Sequence, residues 1–251
     1  MYRTNIYKND NIVVTNQKGP FSILTYVKDL SVTKESAIHE YFAQEMNVHR
    51  RQLVCELSEG DVYIQAGAMQ WFVGDVSAQT GIKSAGDFFS KLGRGVVTGE
   101  SAIKPEYTGS GTLVLEPTYK HIILLEASQF IGGLVIEDGA FLAAESKLEQ
   151  KISARKNLSS AVGGGEGLFN LCFVGQGIVA LESYIPFEEL ILIDMQNDEL
   201  KIDGSYAVCW SNSLDFTVER SSKTLIGSAA SGEGLVNVYR GTGKVLMAPV
   251  G

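Results

Sequence analysis

The chain has 251 residues, with 21 Lys and Arg against 29 Asp and Glu, a formal charge of −8. It is 45% apolar and 20% charged, with 27 Gly but only 5 Pro. These values exclude a disordered or collagen-like chain, and they exclude a basic nucleic-acid binder, since there is no excess of cations to displace phosphate counterions.

A chain of this length buries about three quarters of its unfolded surface, so its core needs neither disulfides nor metal. Cys55, Cys172 and Cys209 are an odd set without a CxxC pair, and are expected as reduced, buried thiols. The first residues, Met1 to Lys8, lack the apolar stretch of a signal peptide. The longest apolar runs, at 122–125 and 190–193, are strand-sized, whereas a spanning helix needs about 20 residues. A cytoplasmic chain with no transmembrane segment is therefore expected. Peripheral membrane contact stays open, although no basic amphipathic helix argues for it. Arg50-Arg51 and the stretch with Lys83, Lys91 and Arg94 read as solvated surface charges.

In chain order, Ile12-Val13-Val14 and residues 21–27 read as strands around the turn residues Gly19-Pro20. A helix comes next, with Ser31 or Thr33 as N-cap and Ala37, Ile38, Tyr41, Phe42 and Met46 at three-to-four spacing. His39 and Glu40 fall off that apolar face, and His49 lies just beyond the helix. Residues 1–57 are expected as N-terminal strands and a helix packed on the remainder of the chain.

From residue 58 the texture becomes short β segments punctuated by glycine. An acidic residue, a Gly and an alternating strand recur at Glu59-Gly60, Asp138-Gly139 and Asp203-Gly204. A second pattern recurs as Gly165-Glu166-Gly167 and Gly232-Glu233-Gly234, each leading into a strand. Gly175-Gln176-Gly177 or Gly241-Thr242-Gly243 then comes after that strand, read as a hairpin turn. Gly109-Ser110-Gly111 is read as a weaker copy of the strand start. The spacing predicts three β repeats, about 58–128, 129–183 and 184–251, forming one compact domain. An insertion of roughly twenty residues is expected within 74–100, the glycines marking backbone turns. The predicted fold is all-β: triplicated β-hairpin repeats with approximate threefold symmetry, plus one N-terminal helix.

The run from Leu57 to Met69, with Gly60, Val62 and Gly67-Ala68-Met69, resembles the opening of the altered-inheritance-of-mitochondria twenty-four family, also called TRAP-like. The run Thr98-Gly99-Glu100-Ser101 and the segment Tyr107 to Leu115 resemble that family's next block, and the likeness covers about 53–250. The resemblance implies repeats in a double-stranded β-helix or TRAP-like β-sandwich arrangement, similar in fold to the tryptophan RNA-binding attenuation protein, without implying RNA binding. It implies no assigned activity and supplies no catalytic residues.

The chemistry of the residues points the same way. A metal enzyme on a β-helix needs clustered His and carboxylates, but His39, His49 and His121 are scattered and no His-x-His exists. No Gly-x-Ser-x-Gly elbow is present, and Gly243-Lys244 is followed by Val245 rather than a P-loop hydroxyl. No catalytic, metal or cofactor residue is assigned and no cofactor is expected. Glu166 and Glu233 hold matching places, with Ser110 in the first copy. They form a candidate polar pair or, more simply, are strand-edge residues. The insertion carries Lys83, Phe88, Phe89, Lys91 and Arg94, a candidate interaction loop whose Phe residues would otherwise plug the β core. The function expected is a non-enzymatic scaffold or assembly protein, through self-association or a protein partner. The alternative is a small-ligand-binding module, with Tyr63, Phe141, Tyr206 and Trp210 lining a pocket between repeats.

Overall fold

The computed structural model describes residues 2–80, 104–154, 169–220 and 235–250. The described chain opens with a hairpin, β1 (Ile12–Lys18) and β2 (Phe21–Tyr26), and continues through α1 (Ala37–Glu45) to β3 (Arg51–Glu56). Then come β4 (Val62–Ile64), β5 (Met69–Gln79), β6 (Glu106–Leu115), β7 (His121–Glu126), β8 (Leu134–Ile136), β9 (Phe141–Glu145) and β10 (Glu149–Ala154). The remaining strands are β11 (Phe169–Val174), β12 (Ile178–Ser183), β13 (Ile191–Asp203), β14 (Ala207–Ser211), β15 (Asp215–Arg220) and β16 (Leu235–Met247).

The class is mostly β with one helix, as the sequence predicts. The strands form two strongly curled antiparallel sheets. The first runs β1-β2-β3-β6-β4-β9-β12-β7, with β5 also on β6. The second runs β10-β11-β8-β14-β16-β13, with β15 also on β16. Side chains of period two fill each curl. Leu53 and Cys55 of β3, Leu113 and Leu115 of β6 and Ile64 of β4 lie in one fully buried cluster of the first sheet. Phe141 of β9 stacks on Phe173 of β11 at 5.3 Å between ring centroids, which joins the two sheets. Trp210, Phe216 and Tyr239 pack ring on ring within the second. Each such side chain contributes about 1.5–3 kcal/mol through burial.

The Gly-x-Gly segments are not the hairpin turns that their composition suggests. Gly109, Gly175 and Gly241 share φ values of +116°, +121° and +120°. Gly109 and Gly241 lie inside the continuous strands β6 and β16. At Gly175-Gln176-Gly177 the chain leaves β11 in the second sheet and enters β12 in the first. A bend with φ near +120° favours glycine because a Cβ strains it. Gly109, Gly175 and Gly241 share this backbone conformation and are spaced 66 residues apart. The spacing from Gly60 to Gly109 is 49 residues, from Gly139 to Gly175 36 and from Gly204 to Gly241 37. The start of the span expected to hold an insertion, 74–79, forms the end of β5.

The N-terminal region divides in two. Its strands are the first three of the first sheet. Its helix has no buried residue. Thr33 and Ser36 exchange backbone-to-hydroxyl bonds ahead of the first turn, and the Ala37 N–H donates to the Thr33 carbonyl. The apolar residues expected to pack, Ile38, Tyr41, Phe42 and Met46, are 61–77% exposed.

Candidate functional site

The first sheet ends in β1 on one side and β7 on the other, and its curl brings these two edges face to face. One tie joins β1 to β7 directly, and a second joins the start of β3 to the segment before β7. At one end Arg51 and Thr118 exchange backbone bonds of 2.7 and 2.8 Å. At the other the Lys18 ammonium donates to the Leu124 carbonyl at 3.2 Å. Between the ties lies a cleft of about 480 Å³. β1 and β2 supply one wall through Val13, Thr15, Lys18, Ile23 and Thr25, and β7 supplies the other through residues 121–125. The turn holding Phe187 and Glu188 and the segment after α1 close one end. Strand edges left unpaired in this way offer backbone donors and acceptors as well as side chains.

The polar end of the cleft is built around Arg51. Adjacent arginines point opposite ways, as strand alternation requires. Arg50 turns outward to Asp29 at 2.5 Å and lies over the Tyr26 ring. Arg51 turns inward with Leu53 and Cys55 and is only 6% exposed. Its guanidinium donates to the carbonyls of His49 (3.1 Å) and Asn47 (3.0 Å) and to Asn47 Oδ1 (3.0 Å). These bonds hold Asn47 in its left-handed turn at φ 63°. Among the described residues Arg51 has no carboxylate within ion-pairing distance. Burial pulls its pKa down, and the more distant Glu188 charge opposes that.

Two imidazoles flank it. His49 Nδ1 lies 3.0 Å from the Tyr26 carbonyl oxygen; a carbonyl only accepts, so Nδ1 carries the proton and Nε2 is left open. His121 opens β7, and its pKa falls below the usual histidine value. Burial is the main cause, with the positive charge of Arg51 and the neighbouring His49 acting in the same direction. His121 is therefore neutral at pH 7. The end of the cleft thus offers a cation, two imidazoles and one acid, Glu188. Among the described residues no three His, Cys, Asp or Glu side chains are grouped to hold a metal.

The sequence model of one family, described as mitochondrial biogenesis AIM24, matches residues 42–250. The chain belongs to this family. A relative, an uncharacterized protein of Streptococcus pyogenes serotype M6, is 31% identical over 194 residues, covering 74% of this chain and 75% of that protein. A crystal structure of a Streptococcus pyogenes protein superposes with a TM-score of 0.59 at 28% identity, over 82% of this chain and 90% of the other. The AIM24 match begins within α1, so β1 and β2, which supply one wall of the cleft, lie ahead of it.

Of the residues singled out in the sequence, Lys83, Phe88, Phe89, Lys91 and Arg94 lie outside the described residues, as do Glu166 and Glu233. Ser110 pairs with Asp75 within the β5–β6 ladder. Tyr63 and Phe141 belong to one core cluster, and Tyr206 and Trp210 to another. His39 lies on the exposed α1, whereas His49 and His121, treated as scattered, both line the seam cleft. Arg51, read as a surface charge, is the residue the sequence reading missed. The signal was the period-two alignment of Arg51 with Leu53 and Cys55.

Proposed function

We propose that this AIM24-family protein acts through contacts rather than catalysis, as a scaffold or assembly protein that associates with itself or with a protein partner. The observation that carries this reading is α1. It presents Ile38, Tyr41, Phe42 and Met46 together, with the Tyr41 and Phe42 rings edge to face at 5.5 Å. A clustered apolar face on a helix that contributes nothing to the core fits an association surface. In this reading the protein is cytoplasmic. Three repeats (58–128, 129–183 and 184–251) form one unit with the N-terminal region, and the three Gly-x-Gly bends are the trace of triplication. No described helix is long and apolar enough to cross a membrane, which leaves strands out of account.

Light scattering on the size-fractionated protein tests this. Assembly that disappears in I38E/F42E, with an unchanged unfolding midpoint, supports it. A monomeric wild type that cross-links to no partner in native lysate counts against it.

A second reading is favoured by a separate observation. The seam cleft has the volume of a small-molecule site and combines apolar walls with a few converging polar groups. In this reading the protein is a small-ligand-binding module, with its pocket at the edge of one sheet. Saturable binding of any small organic probe that shifts the His49 and His121 resonances supports it.

A further inference from the structure

We propose that the seam cleft binds a small amphiphilic organic anion, whose acidic head sits at Arg51 and whose body lies along the cleft's apolar wall. This rests on the second reading above, that the cleft is a ligand site.

Charge is the first argument. The chain is strongly acidic at −8, yet the described residues lining the cleft include Lys18 and Arg51 against the single acid Glu188. Arg51 is more than nine-tenths buried, and all three of its hydrogen bonds go to neutral oxygens. A buried guanidinium with no carboxylate in ion-pairing contact is costly unless a ligand completes it. A guanidinium has five N–H donors, so two remain beyond those three bonds. Planar donors of this kind suit the oxygens of a carboxylate or phosphate. The Lys18 ammonium, at the far end, gives one of its three donors to the Leu124 carbonyl and is only half-buried, so Arg51, the buried cation, is the head-group position.

Shape is the second argument. Val13, Ile23, Val27, Ile123, Leu125 and Phe187 line the rest of the cleft. They offer no partner for further charge, but they cover an aliphatic or aromatic body. A bare inorganic anion leaves that wall wet, and a neutral lipid-like molecule leaves Arg51 uncompensated. An acid carried on a short apolar chain satisfies both ends.

The experiment uses the full chain and four probes: octanoate, octyl phosphate, octanol and inorganic phosphate, the first two below their micelle thresholds. Calorimetry gives affinity, and imidazole resonances locate the site. The expected result is that octanoate, octyl phosphate or both bind at least tenfold more tightly than octanol and than inorganic phosphate. Shifts should be confined to His49 and His121, and which head group wins separates carboxylate from phosphate ligands. R51Q should lose the advantage over octanol while octanol binding is kept, and octanol binding then also reports an intact cleft. If R51Q does not fold, the wild-type comparison of the four probes decides alone. Octanol binding as tightly as octanoate and octyl phosphate overturns the anion inference but keeps the ligand-site reading. Inorganic phosphate matching octyl phosphate overturns it as well. No binding by any probe overturns both.

Discussion

The Lys18 ammonium donates to the Leu124 carbonyl at 3.2 Å, tying the first strand of the first sheet to its last. Together with the Arg51–Thr118 bridge, this contact turns an open, curled sheet into one whose edges enclose a cleft. Lys18→Met removes the donor and keeps the aliphatic stem. It is expected to cost about 0.5–1.5 kcal/mol, the ordinary net worth of one hydrogen bond. Urea unfolding measures that loss. Hydrogen exchange should quicken at the amides of β7 and β1 but not in β14 or β16.

A tighter constraint sits at the bend between the sheets. The Glu145 carboxylate is buried, accepts the Ile178 N–H at 2.6 Å and is paired with Lys147 at 2.7 Å. A Cβ on Gly177 would meet Glu145 Oε2 at 3.1 Å and Leu148 Cγ at 2.9 Å. Glu145→Ala leaves a buried N–H unpaired and is expected to destabilise by about 1–3 kcal/mol. Gly177→Ala displaces both neighbours and should also destabilise. In the double variant the two losses should fall short of additivity, because one loosens what the other crowds. Chemical denaturation of the four proteins completes the cycle.

The histidine of the seam makes stability depend on pH in a defined window. The His121 pKa in the folded protein lies below its ordinary 6.5, under the influence of burial, Arg51 and His49, with Glu188 opposing. Above pH 6.5 the side chain is neutral in both states and contributes nothing. As pH falls through 6.5 the unfolded chain takes up the proton first, and the folded state loses stability until its own lowered pKa is passed. His121→Gln should flatten the stability profile between pH 7 and 5, read from unfolding midpoints across that range. Glu219 does not overlap this window. Arg240 holds its pKa down at about 2, so it acts only in stronger acid.

Thiol chemistry should be silent in the native protein. Cys55 and Cys209 are fully buried, and burial pushes both thiols above the usual range. Cys172 is raised to about 11. Reaction with a disulfide reagent at pH 8 is expected to be slow enough to track unfolding, with three thiols appearing only in denaturant. Fast labelling of even one cysteine in the native state contradicts the packing described.

The strands were legible because their residues carry local instructions. Phe21 to Tyr26 is rich in β-branched and aromatic residues and follows the turn residues Gly19-Pro20, and His121 to Glu126 holds a strand-sized apolar run. The helix was legible from its spacing, but its exposure was not, because the same Ile38, Tyr41 and Phe42 face describes a packed helix and an unpartnered one. The role of Gly-x-Gly was misread for a similar reason. A positive φ occurs both in hairpin turns and in strand bends, and composition cannot separate them. The seam site was the least legible. Residues 13–27, 47–51, 121–125 and 187–188 approach only after a sheet has curled on itself, and no spacing in the sequence encodes that closure. What local reading could have found was Arg51, in register with an inward-facing apolar row.

The bend at Gly175-Gln176-Gly177 is one of five places, among the described strands, where the chain passes from one sheet to the other: β7 to β8, β8 to β9, β9 to β10, β11 to β12 and β12 to β13. The two sheets are thus stitched rather than stacked. Pulling on the molecule's ends cannot peel one away while its neighbour stays whole. Under mechanical load the protein should give way in a single rupture, with no half-extended plateau.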